Sequence, residues 1–551
     1  MKKNFTLKLF VLVAIAAFTA CKKSSVQPTP EPPKPDPVTP VTATRKELSL
    51  DSIFLYAKDV YYWNTNLPTY GDFNPRRFTS LSKDLDNYNA ELLEIAKYSN
   101  SMEYKTTSTA PKYSYIFDRT NKNPTAFNSK DQLAVDLLGN GNDIGVRIVS
   151  YLTSNSNSSP YYPFITAVYQ GSPADLAGLK RGWYISKING QSYGANYSAE
   201  SSSLNTALSG TNVQLDLINY LTKATKSVTL TKAVYKSSPI YTKKIYDAGG
   251  KKIGYLNFAR FSMLSTPGRN PSDTNLDPVF AEFAAANVTD LIVDLRYNGG
   301  GYVSTAEYMI NLIAPSALNG KVMYTEYYNS KMQNKQATIM RNQPLLDIND
   351  KIQYVNGRIA NYFDDADYST TANTAKFDKK GGLNTIQNVV FIVSGNTASA
   401  SELVINSLKP YVNVKTVGAT TYGKPIGFFP VTIENRYDVY FSMFETKNSL
   451  GQGGYFNGIT PDYDEANASA YPNLWDDPTH DFGDVKEAYL DQALKVLAPS
   501  TTVQPIGAKL AGTEMMTNTM NKLSRTKITG KRNIGKGEFV GMVSSPRRKG
   551  Q

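Results

Sequence analysis

The sequence predicts a multidomain α/β protein, and three features carry that prediction. Apolar residues recur at helical spacing after residue 45; short apolar runs broken by Gly, Asn and Ser begin near residue 131; and strand and helix patterns alternate from about residue 250 to 417. A chain of 551 residues is well beyond the size at which one core stops growing, so about three globular units are expected. With 41% hydrophobic and 19% charged residues, the composition is that of an ordinary soluble protein.

The amino end departs from this composition. Lys2, Lys3 and Lys8 precede an apolar run from Leu9 to Phe18, which is short for a membrane span and has the charge order of an export signal, assigned to residues 1–20. Cys21, the single cysteine, follows directly and resembles the acceptor cysteine of a bacterial lipoprotein, so an internal disulfide is excluded and a lipid anchor is expected. Seven prolines between Pro28 and Pro40 hold the backbone extended, making 21–44 an anchor and semi-rigid stalk. The expected location is the cell envelope, at the periplasmic face of a membrane or the cell surface. The net charge of +12 is concentrated in the signal and in residues 509–551, which leaves the body near neutral. That distribution argues against nucleic acid as a partner and marks 505–551 as a basic, flexible extension.

Leu50, Ile53, Phe54, Ala57 and Tyr61, with a second amphipathic stretch from about Asp86 to Tyr98, predict a helical domain over 45–125. Farther on, Phe164 to Val168 reads as a strand, Ser172 to Ala177 as a short helix, and Tyr184 to Ile188 as the next strand, before the turn Asn189-Gly190. This string, ITAVYQGSPADLAGLKRGWYISKINGQ, resembles a PDZ domain, assigned to 130–235. The resemblance implies a groove that takes the C-terminal end of a peptide as an added strand. Its carboxylate would be held by the loop Asp143-Ile144-Gly145-Val146, with Ile144, Gly145 and Val146 as substrate-binding residues.

A third unit, 245–500, is predicted from strands at Ile253–Phe261, Asp290–Leu295, Val389–Ser394 and Val412–Val417, with helices at 278–286, from about Ser304, and at 401–409. Between them, 319–382 is polar and aperiodic, an excursion from the core. Three segments end strands at what should be one sheet edge: Asp294-Leu295-Arg296-Tyr297-Asn298-Gly299-Gly300-Gly301, the stretch Asn396-Thr397-Ala398-Ser399-Ala400-Ser401-Glu402, and Thr420-Thr421-Tyr422-Gly423-Lys424. Ser399-x-x-Glu402 by itself is a capping box. A serine hydroxyl needs a base, and the single histidine, His480, lies in an Asp-rich segment that gives a Ser-His-Asp triad little support. A lysine among apolar neighbours such as Tyr422, Pro425, Ile426 and Phe428 can serve once burial lowers its pKa. Asp294 and Arg296 read as a structural ion pair. One His and one Cys leave no metal set, no calcium-loop pattern is present, and GGGYVS lacks the lysine of a phosphate loop, so no metal or cofactor is expected.

The PDZ string, DLRYNGGG, NTASASE and TTYGK, in this order, resemble the C-terminal processing (tail-specific) serine peptidases, including lipoprotein members of the Bacteroidetes type. The resemblance implies a crotonase- or Clp-protease-like core, an acyl-enzyme mechanism with Ser399 as nucleophile and Lys424 as base, and an oxyanion hole from the N–H groups of Ala400 and Gly300. Proteins or peptides with free C-termini would be the substrates. Family members often carry Gln four residues after the lysine, where this chain has Phe428. Two alternatives stay open at this stage: a weak or inactive PDZ-type peptide-binding lipoprotein, and an envelope protein that binds glycans or small ligands.

Overall fold

The computed structural model describes residues 43–120, 135–268, 270–347, 351–499, 501, 503–506, 530–534 and 540–544. The export signal, Cys21 and the proline-rich stalk lie outside the described residues, and the rest of this section concerns residues from Arg45 onward, which form one compact unit.

Helices α1 (Arg45–Val60) and α2 (Asp84–Ala96) form where the apolar spacing places them. They bury Leu50, Ile53, Phe54, Leu92 and Ile95 in an apolar cluster shared with the helix-covered face of the central sheet. Strand β1 (Tyr115–Asp118) then pairs antiparallel with residues 437–440, tying this segment to the lysine-bearing end of the chain.

An antiparallel sheet follows, built from β2 (Val146–Leu152), β3 (Tyr161–Val168), β4 (Trp183–Ile188), β5 (Asn212–Asn219) and β6 (Thr225–Thr231), with helix α3 (Tyr197–Leu208) between β4 and β5. The sequence motifs work locally as expected. Ser172 caps the short helix by accepting from the Asp175 N–H at 3.2 Å, and Asn189 and Gly190 both take positive φ (50° and 82°) at the turn.

The central sheet contains β7 (Ile240–Ala248), β8 (Lys251–Phe258), β9 (Asp290–Asp294), β11 (Asn388–Val393) and β12 (Asn413–Gly418). From β8 through β9 and β11 to β12 the strands are parallel, while β7 runs antiparallel along β8. Short strand β10 (Gly300–Tyr302) and the helices α4 (Leu276–Ala285), α5 (Val303–Ile313) and α6 (Ala400–Leu408) fall between these strands in sequence. Period-two alternation sorts the side chains. Leu291, Val293, Val389, Phe391 and Val393 pack under α4, α5 and α6, while Ile292, Val390 and Ile392 pack under α7 (Ala488–Leu497) on the other face. A sheet covered on both faces explains why these strands read as unbroken apolar runs. After β12 come β13 (Val431–Ile433), β14 (Tyr437–Tyr440) and β15 (Phe444–Asn448), and the polar excursion is not wholly irregular: residues 322–328 form a strand paired with β15, which in turn pairs with 426–427 just beyond Lys424.

A buried ion cluster joins the antiparallel sheet to the core. Arg296 pairs with Asp294 at 2.8 Å, as the sequence suggests, and also with Glu487 at 2.7 Å and Asp476 at 3.3 Å. Arg181, from the loop before β4, reaches Asp476 at 2.9 Å and the Tyr297 hydroxyl at 2.8 Å. His480 belongs to this region, with Nδ1 2.7 Å from Asp477 Oδ2 and its carbonyl accepting from Arg181 Nε, so its ring is committed away from any triad with Ser399.

The basic carboxyl-terminal segment corrects the expectation of a flexible extension along two stretches. β16 (Gly530–Ile534) adds to the antiparallel sheet beside β2, and β17 (Gly541–Val543) lies parallel to β10. Backbone pairing and burial of Ile534 and Met542 hold these ten or so residues against the body in spite of the segment's charge.

Candidate active site

Parallel strands β9, β11 and β12 deliver their C-terminal ends to one edge, and the connecting loops are laced together there. Ala398 donates its N–H to Asn298 O at 3.1 Å, Thr397 Oγ1 donates to Leu295 O at 2.7 Å, and the Tyr422 N–H donates to Thr397 O at 2.9 Å. Gly458-Ile459 closes the far side, its Ile459 N–H donating to Thr421 Oγ1 at 2.7 Å.

Ser399 is the residue before α6, and it is fully buried with φ 62° and ψ −111°, a backbone region that L-residues rarely occupy. Among the described residues its hydroxyl has no hydrogen-bond partner. Of the capping box, the reciprocal bond is the well-formed one: the Ser399 N–H donates to Glu402 Oε2 at 2.8 Å. A buried hydroxyl held on a strained backbone at a helix N-terminus carries a cost in stability, and such costs cluster at functional sites.

Glu402 is the residue that sequence reading underestimated. Burial pushes its carboxyl up, opposed by donors that it accepts from on both oxygens. Oε1 accepts from Thr421 Oγ1 and from the Gly423 N–H at 2.8 Å, and Oε2 accepts from the N–H groups of both Ser399 and Lys424, each at 2.8 Å. The backbone nitrogens of Ser399 and Lys424 thus lie within twice 2.8 Å of each other. A carboxylate three residues into a helix gives no sequence signal for this second reach, because its local role as a cap already accounts for it. Glu402→Gln sets an amide NH2 against N–H donors and is expected to cost about 1–3 kcal/mol of stability, which urea midpoints measure.

Lys424 is 1% exposed. Burial brings its amine down to about 7, against the upward pull of Glu103 and Glu402. Nζ lies 3.5 Å from Tyr113 O and 3.4 Å from Val540 O, and 4.3 Å above the Phe428 ring. Phe428, standing where the resemblance led to an expected Gln, therefore supplies a dry floor, and backbone carbonyls supply the polar contacts. Tyr113 also fixes the lysine loop by donating its hydroxyl to Gly423 O at 2.7 Å. Lys112, brought down to about 8 chiefly by burial, sits beside it on Phe456 O. Neither residue carried a sequence signal, since both lie in the segment far upstream of the motifs.

Two of the expected backbone donors are engaged. The Gly300 N–H donates to Asn298 Oδ1 at 2.9 Å, so in this conformation it does not face an oxyanion. Gly300 takes φ 109°, and a Cβ there would run into the Gly541 carbonyl on one side and Ser399 Cβ on the other; glycine is needed for close approach of chains. Ala400 is the first residue of α6, where an N–H has no intrahelical acceptor. In the β2 loop, the Gly145 N–H donates to Asp143 Oδ1 at 2.8 Å, and is likewise not available to a carboxylate as placed. Ile144 is buried with its carbonyl accepting from Ala174, and Val146 opens β2 opposite Val168.

Residues 252–465, which include Asp294 to Gly301, Ser399, Glu402 and Lys424, match the model of peptidase family S41. The chain carries a peptidase family S41 domain. Over 295 residues it is 25% identical to the chloroplastic carboxyl-terminal-processing peptidase 1 of Arabidopsis thaliana, covering 53% of this chain. The chain spans about half the length of that curated relative, 50%. The fold is similar to that in a crystal structure of a candidate S41 protease from Bacteroides fragilis NCTC 9343, with a TM-score of 0.53 and 20% identity, covering 82% of this chain and 98% of the other. Tyr113 and β17, which complete the surroundings of Lys424, lie outside the segment matched to the S41 domain.

Proposed function

We propose that this chain is a serine endopeptidase in which Ser399 is the nucleophile and Lys424 the general base. The observation that carries this reading is the fully buried amine at about 7, bound through its backbone to the same carboxylate oxygen as the serine. About half of such amines are neutral at pH 7, the condition for taking a proton from a hydroxyl.

In the proposed reaction Lys424 Nζ turns from Val540 toward Ser399 and removes the hydroxyl proton as Oγ bonds to the scissile carbonyl carbon. The Ala400 N–H, at the positive end of α6, stabilises the resulting oxyanion. Collapse breaks the C–N bond, Nζ returns the proton to the departing amine, and water cleaves the acyl-enzyme by the same steps. The antiparallel sheet acts as the PDZ-type substrate module: an extended polypeptide pairs with β2, and its free C-terminus is taken at the loop containing Ile144, Gly145 and Val146 once Gly145 is released from Asp143. Export, lipid attachment at Cys21 and substrates of the cell envelope complete the reading.

The test is labelling with a serine-reactive fluorophosphonate, followed by cleavage of an unfolded protein that ends in an apolar C-terminus. The wild type is expected to label and cleave, and Ser399→Ala to do neither. Labelling that survives Ser399→Ala, or cleavage that does, contradicts the assignment.

A further inference from the structure

The carboxyl-terminal segment occupies both places that the proposed function reserves for substrate. β16 runs antiparallel to β2, with Ile534 opposite Ile148 and Gly530 opposite Leu152, so it already forms the added strand expected of a bound peptide. Ile534, 4% exposed, enters the apolar cluster with Ile148 and Leu204 of α3. Lys531 lies 3.8 Å from Glu465, and Arg532 donates to Asn157 Oδ1 at 3.0 Å.

Ten residues later the same segment lies across the catalytic edge. β17 is clasped on one side by β10, with the Gly541 N–H donating to Gly299 O at 3.0 Å. On its other side the Phe428 N–H donates to Met542 O at 3.2 Å and the Ser544 N–H to Phe428 O at 3.1 Å. Met542 is fully buried in the main core cluster. The Lys424 amine contacts Val540 O, and Ser399 has no solvent exposure.

We propose that the two stretches 530–534 and 540–544 together act as an intramolecular competitive inhibitor, the first held in the peptide groove by β16 and the second across Ser399 and Lys424 by β17, and that a polypeptide is cleaved only after displacing them. This inference rests on the serine peptidase reading. Extended backbone pairing on both sides is the way a substrate strand would bind, and tethering makes the competitor effective at millimolar local concentration. Because Lys424 Nζ contacts Val540 O, displacement also frees the base to meet the nucleophile.

The full chain tests this in two ways. Ile534→Glu/Met542→Glu, which makes both anchors unfavourable, is expected to raise the rates of fluorophosphonate labelling and of cleavage of unfolded casein at least tenfold. A synthetic peptide of residues 528–546 should then inhibit that variant competitively, raising KM with kcat unchanged. Because loss of Met542 can unfold the core, a second variant locks the segment instead. Ser150→Cys/Arg532→Cys in a Cys21→Ser background places two thiols at directly opposed positions of β2 and β16. Its oxidised form should label at least tenfold more slowly than the same protein after reduction. Equal rates for the oxidised and reduced forms, with the reduced form active, overturn the inhibitor and leave the peptidase reading standing. So does a purified wild-type chain whose intact mass shows cleavage between 534 and 544, since the segment is then a substrate. No labelling in any form overturns the peptidase reading and the inhibitor with it.

Discussion

Lys424→Met should abolish cleavage and at the same time make the protein more stable. The loss of activity follows from removing the proposed base, and for residues that act as a unit with the nucleophile it is on the order of 10⁴-fold or more. The gain in stability follows from burial. The amine has an ordinary value of 10.5 and is brought down to about 7 in the folded protein, so the folded state releases a proton that the unfolded state keeps. Between pH 7 and 10.5 the unfolded chain binds more protons, and the stability of the wild type rises with pH across that window. Below pH 7 both states are protonated and the folded protein bears the full cost of a buried ammonium, on the order of a few kcal/mol. Methionine of similar length escapes that cost. Denaturant midpoints of the two proteins are therefore expected to differ most at pH 6, in favour of the variant, and to converge toward pH 10. A variant that is less stable than the wild type at pH 6 contradicts the account of the buried amine.

Arg296→Met is the largest expected effect on folding. The guanidinium is 1% exposed and neutralises carboxylates from the end of β9 and the segment leading into α7: Asp294, Asp476, and Glu487 at the N-cap of α7. Burial opposes ionisation of Asp476, yet Arg181, Lys531, Arg296 and the Tyr297 hydroxyl hold its carboxyl well below the usual carboxylate range. Removing one partner of a buried pair leaves uncompensated charge and costs about 3–5 kcal/mol. Arg181 still covers Asp476, whereas Asp294 and Glu487 lose their partner. Calorimetry or urea unfolding should show this loss. The same cluster positions β9, whose end carries Asn298 and the glycines, so residual activity in folded Arg296→Met protein should fall as well.

Much of the fold was legible because the central strands are buried on both faces and stand out as apolar runs between glycine-rich breaks. The predicted strand Asp290–Leu295 and helix 401–409 fall within a residue of β9 and α6. The candidate site was legible through its strand ends, since parallel strands that follow one another in a sheet bring their C-terminal loops to a common edge. What stayed hidden is what depends on distant backbone. Glu402 looks like a cap until Gly423 and Lys424 are seen folded onto its far oxygen. Tyr113 reaches Lys424 from more than three hundred residues upstream, with no motif to mark it. The engaged amides of Gly300 and Gly145 could not be read either, because glycine announces conformational freedom and not the acceptor its N–H finds. The basic segment read as flexible from its composition, and pairing with β2 and β10 outweighs that composition at Ile534 and Met542.

The most direct test of the central claim is the second-order rate of Ser399 modification by diisopropyl fluorophosphonate as a function of pH. With a buried amine near 7 as the base, the rate should climb about tenfold per pH unit below 7 and level off above about 8. A rate that keeps climbing to pH 10, as an ordinary solvated lysine would give, or one that Lys424→Met leaves unchanged, contradicts it.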